Sequence, residues 1–334
     1  SHVTIPSRTS IRNVPAIAAA RSAGVYAGNA EQLSVRAAFP KLYALEEKYG
    51  GLIKGMIKGA KERRQRAEKA KDRARMFSFV DGMGTFPQAI ARMLGDAVQT
   101  NTRVVGIERS DSSSWTVLFA SQGRTDAVQA AAVIIATPAA HAAQMVARIA
   151  PSLAEKLSAI YYPPVAEVFL GFRHEQIPRA LDGFGFLVPA KEQRNILGTI
   201  WSSAIFPNRS PEGHAALTTF VGGSRQPEMC RLSDEELIRV VTEELHAIMG
   251  VVGQPVFSRV IRWEKAIPQY NLGYLDIMSE VERCEAEVPG LFFCSNFRGG
   301  IAVGDCVMSG KRIADKAASL VRAGQNVASF MNVS

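Results

Sequence analysis

A chain of 334 residues, 47% apolar and 21% charged, can bury a sizeable core and is not a disordered polymer. Its four cysteines show no CxxC spacing, which sets aside a zinc site and a disulfide scaffold and fits a reduced, cytoplasmic setting. The net charge of +8 is concentrated: Lys54–Arg75 holds ten Lys/Arg against three acids, so the remainder is close to neutral.

No wholly apolar run approaches the length of a membrane span. No secretory signal opens the chain, and its first residue, serine, places the start codon upstream or removed. Ser1–Ala23 shows no clean period and reads as a loose arm. In Gly24–Phe39 the two glycines bracket a turn, and Asn29 with Gln32 three residues on reads as a helix cap. Lys41–Arg75 reads as a helix, a loop at Gly50-Gly51 and a strongly basic helix. That charge reads first as a solvated face. The second reading is a peripheral contact with an anionic membrane surface, where each Lys or Arg gains roughly 1 kcal/mol. Nucleic acid is set aside, because no interleaved aromatics or known motif accompany the charge.

Met76–Leu94 holds a short strand, the Gly82-Met83-Gly84 turn and an amphipathic helix with Pro87 in its first turn. Val98–Glu108, Trp115–Ala120 and Asp126–Ala136 read as strands. Within the last, Val133–Ala136 is wholly apolar and ends at Thr137-Pro138, the pattern of a strand covered on both faces. A helix over Ala140–Ala150 ends at Pro151. A second region opens at Pro163–Phe172 and continues through strand-like runs at Gly183–Val188, Ile196–Trp201, Ala215–Gly222 and Val256–Trp263. Ser233, with Glu236 three residues on, caps a helix to Met249. This region reads as a mixed sheet with a covering helix. Arg262–Tyr270 returns the chain to the first region, and Glu280–Val288 is a short helix. Phe292–Ala317 then runs from a buried strand through Arg298-Gly299-Gly300 into a helix from about Val303. Glycines at 299, 300 and 304 keep Cβ atoms away from that helix N-terminus, whose unpaired N–H groups suit a phosphate or a polarised ring oxygen.

No cluster announces acid–base or nucleophilic catalysis. The five histidines are scattered, and there is no nucleophile elbow, HExxH or P-loop, so the catalytic residues stay unassigned and no metal is expected.

Asn296-Phe297-Arg298-Gly299-Gly300-Ile301-Ala302-Val303-Gly304-Asp305-Cys306, with Ser309-Gly310, resembles the closing FAD-binding motif of the oxygen-dependent protoporphyrinogen oxidases. The Gly24–Asn29 block, Gly82–Thr85, Trp263 and Pro268-Gln269-Tyr270 resemble the same family. The resemblance runs from about Gly24 to Val321. It implies an α/β (α+β) architecture: a discontinuous Rossmann-like FAD-binding domain, a mixed-sheet substrate domain and a helical, membrane-associated segment. The implied division is 1–75 helical and basic, 76–160 and 261–334 FAD-binding, and 161–260 substrate-binding. It places FAD against Val104, Trp263, Ile301, Ala302, Val303, Gly304 and Asp305, and the porphyrinogen against Gly24, Leu187, Ile200 and Phe220. The family opens with a strand and a Gly-x-Gly-x-x-Gly helix. Ser1–Arg36 lacks that fingerprint, so the chain is expected to carry the later part of the cofactor site.

The implied activity is oxidation of protoporphyrinogen IX to protoporphyrin IX, with three hydride transfers to FAD and dioxygen reduced to hydrogen peroxide. The flavin carries such chemistry itself, which agrees with the missing catalytic dyad. Coproporphyrinogen III oxidation is the near alternative. A truncated chain that binds a tetrapyrrole or a membrane without turnover is the non-enzymatic one. A homodimer is left open.

Overall fold

The alternation in Val165–Arg173 organises one half of the molecule. Ala166, Val168, Leu170 and Phe172 are buried and point to one side, while Glu167, Phe169 and Gly171 point to the other. In the computed structural model, which describes residues 27–51, 53–55, 57, 58, 77–110 and 114–331, this strand (β5) is flanked by antiparallel partners on both sides. The sheet runs Gly185–Leu187 (β6), Gly198–Ile200 (β7), His214–Gly222 (β8), β5, Phe257–Trp263 (β9). Every neighbour is antiparallel, so the sheet is not the mixed one expected. From β5 the chain crosses to the β6 edge, returns through β7 and β8, and then crosses to β9 at the other edge through the helix Asp234–Met249. That helix is capped by the Ser233–Glu236 box expected from sequence and ends at Gly250 in the left-handed conformation. Leu237, Val241 and Leu245 from it meet the even-numbered face of β5 in one core.

The chain divides into two compact units. The first takes residues to Leu33, Pro40–Pro87 and Tyr162–Gln269, and holds this sheet. The second takes Ser34–Phe39, Gln88–Tyr161 and the chain from Tyr270 onward. It contains an antiparallel meander, Thr102–Arg109 (β1), Trp115–Ser121 (β2) and Arg124–Ala130 (β3). It also contains a parallel pair, Val133–Ile135 (β4) with Leu291–Phe293 (β10). The run expected as one strand over Asp126–Ala136 is thus split between two sheets.

Several local expectations are corrected. Asn29 caps no helix: its Oδ1 accepts from Glu31 N at 3.0 Å in a local turn. The helix starts at Val35 instead, capped by Ser34, whose Oγ accepts from Ala37 N. Residues 77–80 form no strand. Pro151 does more than end a helix: it sits in the first turn of the next, Pro151–Ser158, where its missing N–H costs nothing. The helix expected from Glu280 starts earlier, at Tyr274, behind Gly273 in the left-handed conformation. Ile134 is 42% exposed, although β4 was expected to be covered on both faces. The long helix Val303–Met331 packs Ile313 and Ala317 on Phe292 of β10. Of the basic stretch, Lys54 and Lys58 are exposed, and residues 59–76 lie outside the described ones. No described helix is long and apolar enough to cross a membrane.

Candidate functional site

The outward face of the five-stranded sheet collects the residues expected to line the substrate slot. Cross-strand partners share a face, so the register places Leu187, Gly198, Phe220, Glu167 and Ile261 in one row across all five strands. The next row is Gly185, Ile200, Thr218, Phe169 and Arg259. Trp263, two residues along β9 from Ile261, lies on the same face and is 49% exposed. Gly198 matters here. A Cβ on it would meet Phe186 O at 2.5 Å and Leu187 Cδ2 at 3.0 Å, so the glycine leaves room for the neighbouring strand and its leucine. Phe220 packs on the cluster of Ala27, Val165 and Leu197, which brings the segment after Gly24 to the edge of this face. Gly24 itself lies outside the described residues. Leu187, Ile200 and Phe220 therefore share one surface, with Trp263 beside them. At the other end of β5 and β8 a cleft of about 550 Å³, lined by His174, Arg179, Arg209 and His214, contains none of the expected site residues.

Sequence reasoning passed over Glu167. It is half-buried in the middle of the row, and burial pushes its carboxyl above the usual carboxylate range, against the opposing pull of a hydrogen bond from the Trp263 indole. The signal was present in Val165-Ala166-Glu167-Val168-Phe169: one acid in an apolar strand, on the parity opposite to the core.

The second unit builds its candidate site at the carboxyl ends of β4 and β10, the end at which parallel sheets of α/β proteins bind ligands. Cys294 N donates to Ile135 O at 2.9 Å, so Thr137 and the 295–302 turn emerge side by side. The turn has its backbone groups satisfied by named side chains. Tyr270 Oη donates to Asn296 O at 2.7 Å and Tyr274 Oη donates to Phe297 O. Ser309 Oγ donates to Arg298 O at 3.3 Å, and Cys306 Sγ approaches Gly300 O at 3.7 Å. Gly299 and Gly300 hold φ of +92° and +127°. A Cβ on Gly300 would meet the Asp305 side chain at 2.6 Å.

Beneath the turn lies Glu285, whose side chain is fully buried. It accepts from Phe293 N at 3.0 Å, from both Nη atoms of Arg298, and from Lys316 Nζ at 2.8 Å. Burial pushes this carboxyl up, but Arg298, Lys316 and the Phe293 N–H outweigh it and hold it below the usual range. One carboxylate thus ties together the end of β10, the turn and the long helix. Nothing in the sequence marks this residue, because its partners are contributed by three separate stretches.

The residues of this unit fit a flavin on two observations. Thr137 Oγ1 is buried with no hydrogen-bond partner among the described residues, at the carboxyl end of β4. Ala302, Val303 and Gly304 are exposed at the start of the long helix, and nothing lies within 4 Å of where a Gly304 Cβ would be. Ile301–Asp305 therefore offer an open, partly apolar ledge beside free helix N–H groups. Val104 is half-buried in β1, just before a register shift that leaves Val105 as the extra residue of a bulge. Val104 and Ile301–Asp305 belong to the second unit, and Trp263 to the first.

Residues 17–318 match the family described as flavin containing amine oxidoreductase. The chain is 35% identical over 314 residues to the mitochondrial protoporphyrinogen oxidase of Nicotiana tabacum, covering 88% of this chain and 62% of that protein. It is 33% identical over 322 residues to protoporphyrinogen oxidase 2 of Arabidopsis thaliana, covering 91% and 63%. The coproporphyrinogen III oxidase of Bacillus subtilis is 29% identical over 290 residues, covering 86% and 60%. The chain thus spans less than two thirds of the length of these relatives. Among solved structures, a candidate protoporphyrinogen oxidase from Exiguobacterium sp. superposes with a TM-score of 0.70 at 23% identity, over 89% of this chain and 62% of that one. At that identity the likeness establishes the mixed α/β fold of the amine oxidase type and nothing finer.

Proposed function

We infer the function from one premise: the chain belongs to the flavin containing amine oxidoreductase family. The reading is an oxidase of the porphyrinogen branch that converts protoporphyrinogen IX to protoporphyrin IX. The observation that carries it is the outward face of the five-stranded sheet. Its row of Leu187, Phe220 and Ile261, with Ile200 and Trp263 alongside, is a broad apolar floor suited to a flat ligand.

FAD, when bound, supplies a hydride acceptor that dioxygen regenerates. The chain's own residues do the rest. Ile301–Asp305 would hold the cofactor, with Val104 as a further contact, and the helix N–H groups favour negative charge on it. Tyr270, Tyr274 and Ser309 fix the turn that presents these residues. Leu187, Ile200 and Phe220 exclude water from one side of the tetrapyrrole. The apolar floor favours a substrate with two carboxylates over coproporphyrinogen, which has four. A peripheral contact with anionic lipid through Lys54–Arg75 belongs to the same reading, and salt-sensitive binding to anionic liposomes tests it.

Two measurements test the main reading. The 334-residue chain is incubated with FAD, desalted, and its visible spectrum recorded; a stoichiometric flavin band is expected. Protoporphyrinogen is then supplied in air, and porphyrin fluorescence should rise faster than in the uncatalysed control. A folded chain that retains no flavin and leaves the fluorescence at the control rate refutes the reading.

A further inference from the structure

The outward sheet face contains a group that an apolar floor does not need. Glu167 stands at the centre of the row, between Phe220 on one strand and Ile261 on the other. No ion pair to it is formed among the described residues. The other charged side chains on this face are Arg259, one row along, and Arg173 and His214 at the far end of β5 and β8. The Trp263 indole is the diagonal neighbour of the carboxyl across the β5–β9 pair. A half-buried acid with no ion-pair partner weakens the fold, since the desolvation of its polar oxygens is not fully offset. An apolar residue at this site would pack better against Phe220 and Ile261.

We propose that Glu167 is the positioning residue for the tetrapyrrole on this face, accepting hydrogen bonds from its pyrrole N–H groups. The inference rests on the reading of this face as the porphyrinogen floor. Carbon-rich walls grip a flat macrocycle but leave it free to slide and rotate. One acceptor in the middle of the floor fixes its centre, because the N–H groups are the only donors at the centre of the ring. The same acid repels the carboxylates at the ring's edge, so those edges are turned away from the middle of the sheet.

The test uses the full 334-residue chain, protoporphyrin IX as the probe, and two variants, Glu167→Leu and Glu167→Gln. Binding is followed by porphyrin fluorescence, and stability by urea unfolding. Glu167→Leu should bind protoporphyrin IX about tenfold more weakly, or about 1.4 kcal/mol, while its unfolding midpoint stays level or rises. Glu167→Gln keeps an acceptor oxygen and should recover affinity to within about threefold of the wild type, one hydrogen bond of ordinary strength separating the two variants. A loss of affinity without a loss of stability in Glu167→Leu separates positioning from packing, since a structural residue would lose both together. A stably folded Glu167→Leu that binds as tightly as the wild type overturns the inference and leaves the reading of the face intact. A wild-type chain that takes up no protoporphyrin IX overturns both.

Discussion

Replacing Glu285 by alanine should damage the second unit far more than any surface charge deletion. The carboxylate is fully buried, and Arg298, its nearest partner, keeps only 14% of its side chain exposed. Deleting the acid leaves a mostly buried guanidinium and the Phe293 N–H without their acceptor. Breaking a buried pair in this way costs roughly 3–5 kcal/mol. Lys316 is half exposed and turns to water, so it adds little. For a unit of this size each kcal/mol lowers Tm by about 2–4 °C, which gives a drop of roughly 6–20 °C. Glu287 on the same helix is the control: its pair with Arg283 is exposed on both sides, and Glu287→Ala should cost no more than about 1 kcal/mol. Thermal and urea unfolding of both variants, followed by circular dichroism, supply the comparison. A Glu285→Ala midpoint indistinguishable from that of Glu287→Ala would refute the argument that this carboxylate anchors the turn.

Other consequences can be checked with the same preparations. Arg283, Ser152 and Lys156 hold Glu280 down at about 2, well below its unfolded value near 4.3. Its stabilising contribution is present above pH 4.3 and is lost as the pH falls toward 2; Glu280→Gln should flatten that part of the urea midpoint against pH, and an unchanged acid limb would count against the assignment. Gly300→Ala forces a Cβ against Asp305 at a φ that side chains rarely adopt, and should cost roughly 1–3 kcal/mol. Gly310→Ala, in the open interior of the long helix Val303–Met331, should stabilise by about 0.5–1 kcal/mol, and equal effects from the two would contradict the geometry. Cys284 is pushed up to about 11 by burial and by Glu285, Glu280 and Glu287. At pH 8 the native chain should alkylate there roughly a hundredfold more slowly than a free thiol, as read by mass spectrometry of the labelled peptides.

What the sequence revealed depended on whether the signal was local. The Ser233–Glu236 box and the strand, double glycine and helix over Phe292–Ala317 are written in adjacent residues, and the structure forms them where they were expected. Asn29 misled, because the same side chain can serve a turn as readily as a helix cap. Leu187, Ile200 and Phe220 could be named as separate apolar positions, but their common face depends on the register of two strand pairs, which no single run encodes. Glu167 was readable by parity once the core side of β5 was known. The Glu285 network was not, since its partners sit 8, 13 and 31 residues away along the chain. Ile134 looked like core from its neighbours' composition, yet it is 42% exposed.

The parallel pair β4–β10 has a kinetic meaning. Its two strands lie on either side of Tyr162–Gln269, so Val133 cannot meet Leu291 until that whole stretch has been crossed. Contacts at such separation slow folding, because loop closure must precede any reward. The inserted stretch shortens the search by itself. Val165 pairs with Trp263, and Ala266 N donates to Pro163 O at 3.1 Å, so its two ends are stitched together once β5 and β9 join. Chain closure then bypasses the stretch between Pro163 and Ala266, and each halving of the effective loop recovers about 0.6 kcal/mol. The antiparallel sheet should therefore acquire hydrogen-exchange protection before β4 and β10 do during refolding.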